Sequence, residues 1–379
     1  MSVERILRFF LPSLALVLGG LFFQAAGGSF KQPVASLGNG FLRVVTQVDG
    51  WMVGKGSPPV QADAGQAYAV PVATSGGLPT PMIMGYYYDP GNSLQAMADL
   101  KHYGNLLTGI VPFWYTIYAD GSVVGQSDPK TLAFAAARHL YVFALVQNMA
   151  GGPVFHRLLN DPAATKRAIG QLLQLVQANG YSGVNLDFEG IRPSDRAAFT
   201  AFVRDLGNTL HLHGYYLTLS IPAKTQHDPG NSWSGAYDYR ALGTYSDLIM
   251  LMAYDQHSQY SAPGPIASKQ WVESVVAYAV TQIPPSKIIL GVPAYGYSWA
   301  PGGSAKALSY GQASNLAQTY GANPSKGYLQ YYQDGVWHQV WYENAQTFLQ
   351  KVGVVADYNL RGIVLWRLGI EDPNIWQTF

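Results

Sequence analysis

The chain has 379 residues, a net charge of +1 and only 12% charged residues, which argues against a nucleic-acid-binding protein because such proteins need a concentrated basic face. It contains no cysteine, so disulfides, thiolate metal sites and lipid attachment through an N-terminal cysteine are excluded. Aromatic residues reach 13%, which leans towards carbohydrate binding, although aromatic rings also fill protein cores. The length allows either one large α/β barrel or two smaller domains.

The N-terminal residues predict export from the cytoplasm. Arg5 and Arg8 precede an apolar run over residues 9–23, and a basic start followed by such a run is typical of a secretory signal peptide. If the run extends over residues 9–26, it nearly reaches spanning length, and an uncleaved anchor is the alternative. We therefore predict that residues 1–28 are a signal peptide or a membrane anchor. The rest of the chain is expected to be secreted or extracytoplasmic, at the membrane or the cell wall.

Residues 29–80 form an extension rich in glycine and proline. Two short β-like patches, 41–48 and 51–53, flank Asp49-Gly50, a dipeptide that suits the tight turn of a β-hairpin. Ser-Pro-Pro and Ser-Gly-Gly stretches are typical of linkers. The segment is predicted to be a small β element or a spacer, and we assign it no function.

From residue 81 the sequence alternates between strand and helix patterns. Two helices are predicted to begin at Asp128-Pro129 and Asp161-Pro162, because Asp caps a helix and Pro suits its first position. Another is predicted over 94–103, capped by Asn92 or Ser93. Eight strands are predicted, at 82–88, 107–117, 140–146, 181–190, 216–221, 248–254, 288–295 and 362–366. Eight strands alternating with helices over about 300 residues predict a single parallel (β/α)8 TIM barrel of the α/β class over 81–379.

The fourth strand, with the sequence YSGVNLDFEG, carries two carboxylates on one face. Successive side chains of a strand point to opposite sides, so Asn185, Asp187 and Glu189 share a face. Residues two apart on a strand lie roughly 6.5–7 Å apart at Cα, close enough for the carboxylates to interact electrostatically. An ionised neighbour and apolar walls would raise the pKa of the other carboxyl group, which keeps an acid protonated near neutral pH. A half-buried strand with an ion pair is the alternative.

These residues resemble the catalytic strand of glycoside hydrolase family 18, D-G-x-D-x-D-x-E, with Ser182 and Asn185 in place of its first two aspartates. The G-V-N-L-D-F-E variant looks most like the branch of bacterial spore and cell-wall N-acetylglucosaminidases. Further motifs of the family follow in order at other strand ends, and they read GYYYD at 85–89, LMAYDQH at 251–257, LGVPAYGYSW at 290–299 and GIVLWRLGIED at 362–372. The resemblance covers about residues 81–379.

The resemblance also implies a small α+β insertion between the seventh and eighth strands, at about 297–342. The sequence of that segment supports it, because two strand-like stretches, 328–332 and 336–342, surround Asp334-Gly335 and predict a hairpin.

The resemblance implies hydrolysis of a bond next to N-acetylglucosamine, with the acetamido group of the substrate as nucleophile, an exception to the two-carboxylate scheme. Glu189 would be the general acid and later the base, and Asp187 would orient the acetamido N–H and balance positive charge. Tyr254 would hydrogen-bond the acetamido oxygen. The other residues assigned to substrate binding are Asn185, Asp255, Trp366, Tyr86 and Met252, with Trp366 stacked under the sugar.

Asn185 departs from the chitinases of the family, which usually have Asp at this position. An Asn can hydrogen-bond Asp187 but cannot take its proton, which puts the chitinase label and its pH behaviour in doubt. Trp114 and Asn148, near other strand ends, are further candidates for the pocket wall. The eight histidines show no ligand spacing, so we predict no metal and no cofactor.

The leading hypothesis is a monomeric β-N-acetylglucosaminidase whose partner is a polysaccharide containing N-acetylglucosamine, either peptidoglycan or a chitin-like chain, cut in an exo or an endo manner. Two alternatives use the same barrel: a catalytically silent sugar-binding protein, and a structural protein of the wall or spore coat. Loss of the acid would favour the silent protein, and Glu189 is intact.

Overall fold

The structure is a computed structural model that describes residues 70–72, 77–89, 94–148 and 151–379. The predicted signal peptide or anchor lies outside the described residues, as does most of the Gly/Pro-rich extension with its hairpin, so these assignments stay predictions. Within the described ranges, no helix combines the length and the apolar character that crossing a membrane requires.

Eight parallel strands close into a barrel, which confirms the predicted (β/α)8 fold. The strands in chain order are β1 (Met82–Tyr87), β2 (Gly109–Ile117), the short antiparallel β3 (Val123–Gly125) beside β2, β4 (Tyr141–Gln147), β5 (Gly183–Asp187), β6 (Tyr216–Pro222), β7 (Leu248–Met252), β8 (Ile288–Pro293) and, after four strands of a separate sheet, β13 (Gly362–Trp366). Around the barrel the order is β1-β13-β8-β7-β6-β5-β4-β2, and pairing of β1 with β2 closes the ring.

Helices surround the barrel, and two of them begin at the predicted Asp-Pro pairs. The helices are α1 (Gln95–Tyr103), α2 (Pro129–Ala137), α3 (Gly151–Asn160), α4 (Pro162–Asn179), α5 (Arg196–Leu212), α6 (Tyr239–Tyr245), α7 (Lys269–Ala279), α8 (Tyr310–Thr319) in the insertion, and α9 (Ala345–Asp357). Asp128 and Asp161 each accept two backbone N–H groups at the start of α2 and α4. The caps predicted for α1, Asn92 and Ser93, lie outside the described residues. In the structure, the side chain of Asp89 accepts from the first turn of α1.

Alternation along the strands produces two apolar layers. One set of side chains packs between the barrel and the helices. The opposite set fills the barrel interior and comprises Met82, Met84, Tyr86, Val111, Phe143, Leu145, Tyr216, Leu248, Met250, Ile289 and Val364. Beyond Tyr216, the interior side chains of β5 and β6 are polar, because Asn185, Thr218 and Ser220 are all buried there. This polar part of the interior lies beneath the carboxylates of β5.

The insertion between β8 and β13 is a four-stranded antiparallel sheet with one helix, as predicted. Its strands are β9 (Tyr295–Trp299), β10 (Lys306–Ser309), β11 (Tyr328–Gln333) and β12 (Val336–Tyr342), in the order β10-β9-β12-β11. The sheet starts at Tyr295, inside the predicted seventh barrel strand. The Ala294 N–H still donates to the carbonyl of Trp366 (2.8 Å) on β13, whereas Tyr295 and Gly296 pair with β10 and β12 of the insertion. Helix α8 covers one face of the sheet.

Candidate active site

The two carboxylates of the fourth predicted strand lie at the carboxyl end of β5. Asp187 is the last residue of the strand and is 7% exposed, and Glu189, two residues further, is half-buried. Active sites of TIM barrels lie at this face, where the loops after the strands meet. Asn185 is fully buried one interior position below Asp187. The strand therefore presents an amide, a buried carboxylate and a partly exposed carboxylate in order of increasing height.

A hydrogen-bond network fixes the amide of Asn185 from below. Its Oδ1 accepts from the Ser220 hydroxyl (3.0 Å), and its Nδ2 donates to Thr218 Oγ1 (3.0 Å) and to the sulfur of Met250 (3.4 Å). Ser220 also shares a hydrogen bond with the hydroxyl of Tyr86 (2.7 Å). The sequence led us to expect that Asn185 can hydrogen-bond Asp187, but the amide bonds these neighbours instead because β6 and β7 supply partners at its own level.

Asp187 is buried without a complete set of hydrogen-bond partners. Its Oδ1 finds none among the described residues. Burial raises the pKa of its carboxyl group well above the ordinary value, and the nearby negative charge of Glu189 raises it further. A buried carboxylate oxygen without a partner costs free energy, and native proteins keep such groups mainly where a function needs them. The free Oδ1 is suited to accept a hydrogen bond from a ligand.

Two tyrosines face the carboxylates. Burial raises the pKa of both Tyr254 and Tyr86, and the charges of Asp187 and Glu189 add to the shift in each case. Both phenols therefore remain protonated across the physiological range and are able to donate a hydrogen bond. Tyr254 follows β7 and is half-buried, whereas Tyr86 on β1 is buried. Gly291 leaves room for Tyr254, because a Cβ there would lie 3.0 Å from its ring.

The backbone of Glu189 is held by the side chain of Asn148. The Glu189 N–H donates to Asn148 Oδ1 (2.8 Å), and Asn148 Nδ2 donates back to the Glu189 carbonyl (2.8 Å). The hydroxyl of Tyr237 donates to the carbonyl of Phe188 (2.5 Å). Asn148, one of the pocket-wall candidates, thus acts as a clamp on the loop after β5. Tyr237 lies in an irregular segment, and no pattern in the sequence points to it.

Trp366, at the end of β13, lies above the interior cluster. It is half-buried, its ring packs edge-on to Tyr86 (5.0 Å between centroids), and the ring centroid of Phe113 lies 6.1 Å from that of Trp366.

Trp114, the other pocket-wall candidate, does not reach the site. Its side chain points outwards, with its ring 6.1 Å from that of Tyr87, because neighbouring residues of β2 face opposite sides. Phe113 occupies the inner position.

Asp255 connects the barrel to the insertion. Its Oδ1 accepts from the hydroxyls of Tyr295 (2.5 Å) and Tyr297 (3.2 Å) on β9. Burial raises its pKa to about 6 against the opposing effect of these two hydrogen bonds. Met252, the last residue of β7, is partly buried at the position above Met250 on the inner face.

The eight assigned residues thus fall into two levels. Glu189, Tyr254, Asp255, Trp366 and Met252 are partly exposed at the mouth of the barrel, and Asp187 lies just below them. Asn185 and Tyr86 are buried, so in this structure they support the residues above them rather than face the cleft. Within the described ranges, no three His, Cys, Asp or Glu residues lie close enough together to hold a metal ion.

The barrel and its carboxylate pair are those of a TIM-barrel glycosidase. Residues 83–371 match the model of glycosyl hydrolases family 18, and the chain belongs to this family. Known relatives include the cortical fragment-lytic enzyme of Bacillus subtilis, 31% identical over 301 residues that cover 75% of this chain and 69% of the relative. The resemblance seen in the motifs is confirmed.

Solved structures agree with this assignment. A chitinase from Chromobacterium violaceum ATCC 12472 is 32% identical and superposes with a TM-score of 0.71, covering 78% of this chain and 97% of the chitinase. The spore cortex-lytic enzyme SleL of Bacillus megaterium QM B1551 is 25% identical with a TM-score of 0.72, covering 80% of this chain and 74% of SleL.

Proposed function

We propose that the protein hydrolyses β-linked glycans of the peptidoglycan or chitin type at N-acetylglucosamine units, with the substrate's acetamido group as nucleophile. The observation that carries the proposal is the buried Oδ1 of Asp187, which has no hydrogen-bond partner in the part of the chain that the structure describes and lies below the partly exposed Glu189. An acetamido N–H would supply the missing hydrogen bond. The cortex-lytic and chitinase relatives support this class of substrate.

In the first step, Glu189 protonates the glycosidic oxygen as the bond to the anomeric carbon breaks and its electron pair stays on the leaving oxygen. The acetamido oxygen attacks the anomeric carbon from the opposite side and forms an oxazolinium ring. Asp187 accepts the acetamido N–H and balances the positive charge of the ring, while the Tyr254 hydroxyl donates to the acetamido oxygen before it attacks. Trp366 packs against the sugar face.

In the second step, Glu189 takes a proton from water, and the resulting hydroxyl attacks the anomeric carbon from the side that the leaving group vacated. The ring opens, the acetamido group is restored, and the configuration at the anomeric carbon is retained. The two carboxylates thus have separate roles although only two residues separate them in the sequence. Asn185, held by Ser220 and Thr218, packs beneath Asp187 and cannot take its proton.

The site of action follows from the substrate and the N-terminus. Peptidoglycan and chitin lie outside the cytoplasm, and the apolar run over residues 9–26 suits export or anchoring. We therefore propose an extracytoplasmic enzyme. A silent sugar-binding protein on the same barrel is the competing function, and it predicts binding without turnover.

The test compares fully N-acetylated with de-N-acetylated chitin oligomers as substrates of the wild-type protein. Cleavage of the acetylated oligomers alone is expected, because only they carry the nucleophile. Equal rates on both would refute substrate assistance, and binding without cleavage of either would favour the silent protein. Product analysis on purified peptidoglycan beside chitin oligomers identifies the preferred glycan.

Glu189→Gln should lower turnover by roughly 10²–10⁴-fold, the usual contribution of a general acid, and leave binding of the oligomers nearly unchanged. Glu273→Gln is the matched control, because Glu273 lies on α7 in an exposed ion pair with Lys269 and should not affect turnover. A Glu189→Gln protein with full turnover would remove Glu189 from the mechanism.

A further inference from the structure

The insertion has an open aromatic face on the side of its sheet opposite helix α8. We call it the distal aromatic face. It consists of three cross-strand pairs of β11 and β12, Tyr328 with Trp341, Gln330 with Gln339, and Tyr332 with Trp337. The outer face of a half-covered antiparallel sheet is ordinarily polar. Here four of six side chains are aromatic, two are amides and none is charged.

The outermost pair of this face is strongly exposed. Trp337 is 62% and Tyr332 56% exposed, and their rings lie 5.5 Å apart beside the Asp334-Gly335 turn. On the other face of the same strands, residues such as Leu329 and Val340 are buried against α8. Packing within the insertion therefore does not explain why large aromatic side chains stand in solvent at Tyr332 and Trp337.

The inner end of the face is continuous with the candidate active site. Tyr328 packs on Trp341 with ring centroids 4.3 Å apart, and Trp341 lies opposite Tyr297 on β9. Trp341 also packs on the cluster that includes Tyr297 and that Tyr254 and Trp366 contact from the barrel. Aromatic side chains thus run from the cleft outwards along the sheet to the exposed pair.

We propose that the distal aromatic face is a second binding site for the β-linked glycan, outside the sugars that contact the catalytic carboxylates. The apolar faces of pyranose rings would stack on Tyr332 and Trp337, and the amides of Gln330 and Gln339 would hydrogen-bond hydroxyl or acetamido groups. This inference rests on the proposed function, because it takes the occupant to be the same polymer.

The length of the strands implies that only a long glycan chain reaches this site. Tyr328 and Tyr332 are four residues apart, which places the inner and outer pairs roughly 13 Å apart along the strand. A sugar chain that only fills the pocket above Asp187 does not extend to the outer pair, whereas a polymer that continues from Trp366 along the sheet does. The absence of charge within the face suits a neutral sugar backbone better than a charged partner.

The test uses the full chain with two substrates, a chromogenic glycoside of N,N′-diacetylchitobiose and a soluble long-chain N-acetylated chitin. For Trp337→Ala and for Tyr332→Ala, KM on the long chain should rise by roughly fivefold to thirtyfold, the range expected when an anchoring aromatic contact is truncated. The rate on the short glycoside should not change. Trp337→Phe should keep most of the affinity for the long chain.

Tyr320→Ala is the matched control, because Tyr320 is a 40% exposed tyrosine of the insertion that stacks on Tyr331, on the other side of the sheet. It should leave both substrates unaffected. Equal KM values of the wild type and the Trp337 and Tyr332 variants on the long chain would overturn the inference. Self-association of the wild type in light scattering that Trp337→Ala abolishes would also overturn the inference, because the face would then bind protein. If the wild type cleaves neither substrate, the proposed function fails first, which separates the two outcomes.

Discussion

Replacement of Asp187 by Asn separates its two effects, on catalysis and on stability. The substitution keeps the shape of the side chain and removes its charge. Asp187 is 7% exposed at the end of β5, so its charge is little screened by solvent. For a unit charge about 4 Å from the positive ring and an effective dielectric constant of about 20, the Coulomb energy is about 4 kcal/mol. Turnover of Asp187→Asn should therefore fall by about 10²–10³-fold.

The same substitution should stabilise the fold at high pH. Burial and Glu189 raise the folded-state pKa of Asp187 above its unfolded value. The folded state therefore holds this proton more tightly, and the stability that it contributes at low pH is lost as the pH rises through the folded-state pKa. The Asp187→Asn variant has no group that titrates at this position, so its stability does not fall in this way as the pH rises. At pH 8 its free energy of unfolding should exceed that of the wild type by about 1–3 kcal/mol, because the variant no longer buries a negative charge beside Glu189.

The assays are turnover on an N-acetylated oligomer and urea unfolding at pH 4 and pH 8. Asp195→Asn is the matched control, because Asp195 is also buried and its Oδ2 has no partner within the described ranges, but its Oδ1 pairs with His156 (2.7 Å) away from the carboxylates. It should keep turnover and lose stability. The reasoning would be refuted if Asp187→Asn retained wild-type turnover, or if it were less stable than the wild type at pH 8.

Two further substitutions, at Asn148 and Asp255, test residues that hold the active-site elements in place. Asn148→Ala removes both hydrogen bonds to the backbone of Glu189 and should lower kcat by roughly tenfold to a hundredfold through misplacement of the acid, with little change in KM. Unchanged kcat in steady-state kinetics would contradict it. Asp255 has a folded-state pKa of about 6, above its unfolded 3.8, so wild-type stability should fall between pH 4 and 6 by about 1–2 kcal/mol more than that of Asp255→Asn. Parallel urea-unfolding midpoints of the two proteins over this range would count against it.

The barrel was predictable because its elements have strong local patterns. The Asp-Pro pairs at 128 and 161 mark helix starts through capping geometry that depends on a few neighbouring residues. Alternation in β5 fixes which side chains face the interior, so the residue order alone places Asn185 and Asp187 on one face. The exit of the chain from the barrel at Tyr295 could not be predicted in this way, because the run 288–295 contains no charged residue and the break depends on pairing of Tyr295 with β10 of the insertion.

In the candidate site, too, local motifs predicted some features and contacts between distant residues decided others. The motif on β5 and its counterparts at other strand ends predicted Asp187, Glu189, Tyr254 and Trp366 as site residues from the sequence. The partners of Asn185 come from strands that are distant in sequence, and register between β5 and β6 sets Thr218 beside it. The sequence allowed a hydrogen bond from Asn185 to Asp187 but could not show which partners Asn185 has, because a strand pattern gives the face of a side chain and not its neighbours.

The sequence alone therefore determined the barrel, the family and the side of β5 that carries the carboxylates, since these depend on periodicity and local motifs. Only the tertiary structure decided that Asp187 Oδ1 lacks a partner among residues 70–72, 77–89, 94–148 and 151–379, that Asn148 holds the backbone of Glu189, and that Trp114 faces away from the cleft. Each of these depends on contacts between residues from different strands and loops. Such contacts are set by the closure of the barrel and by packing between its layers, which no local stretch of sequence encodes.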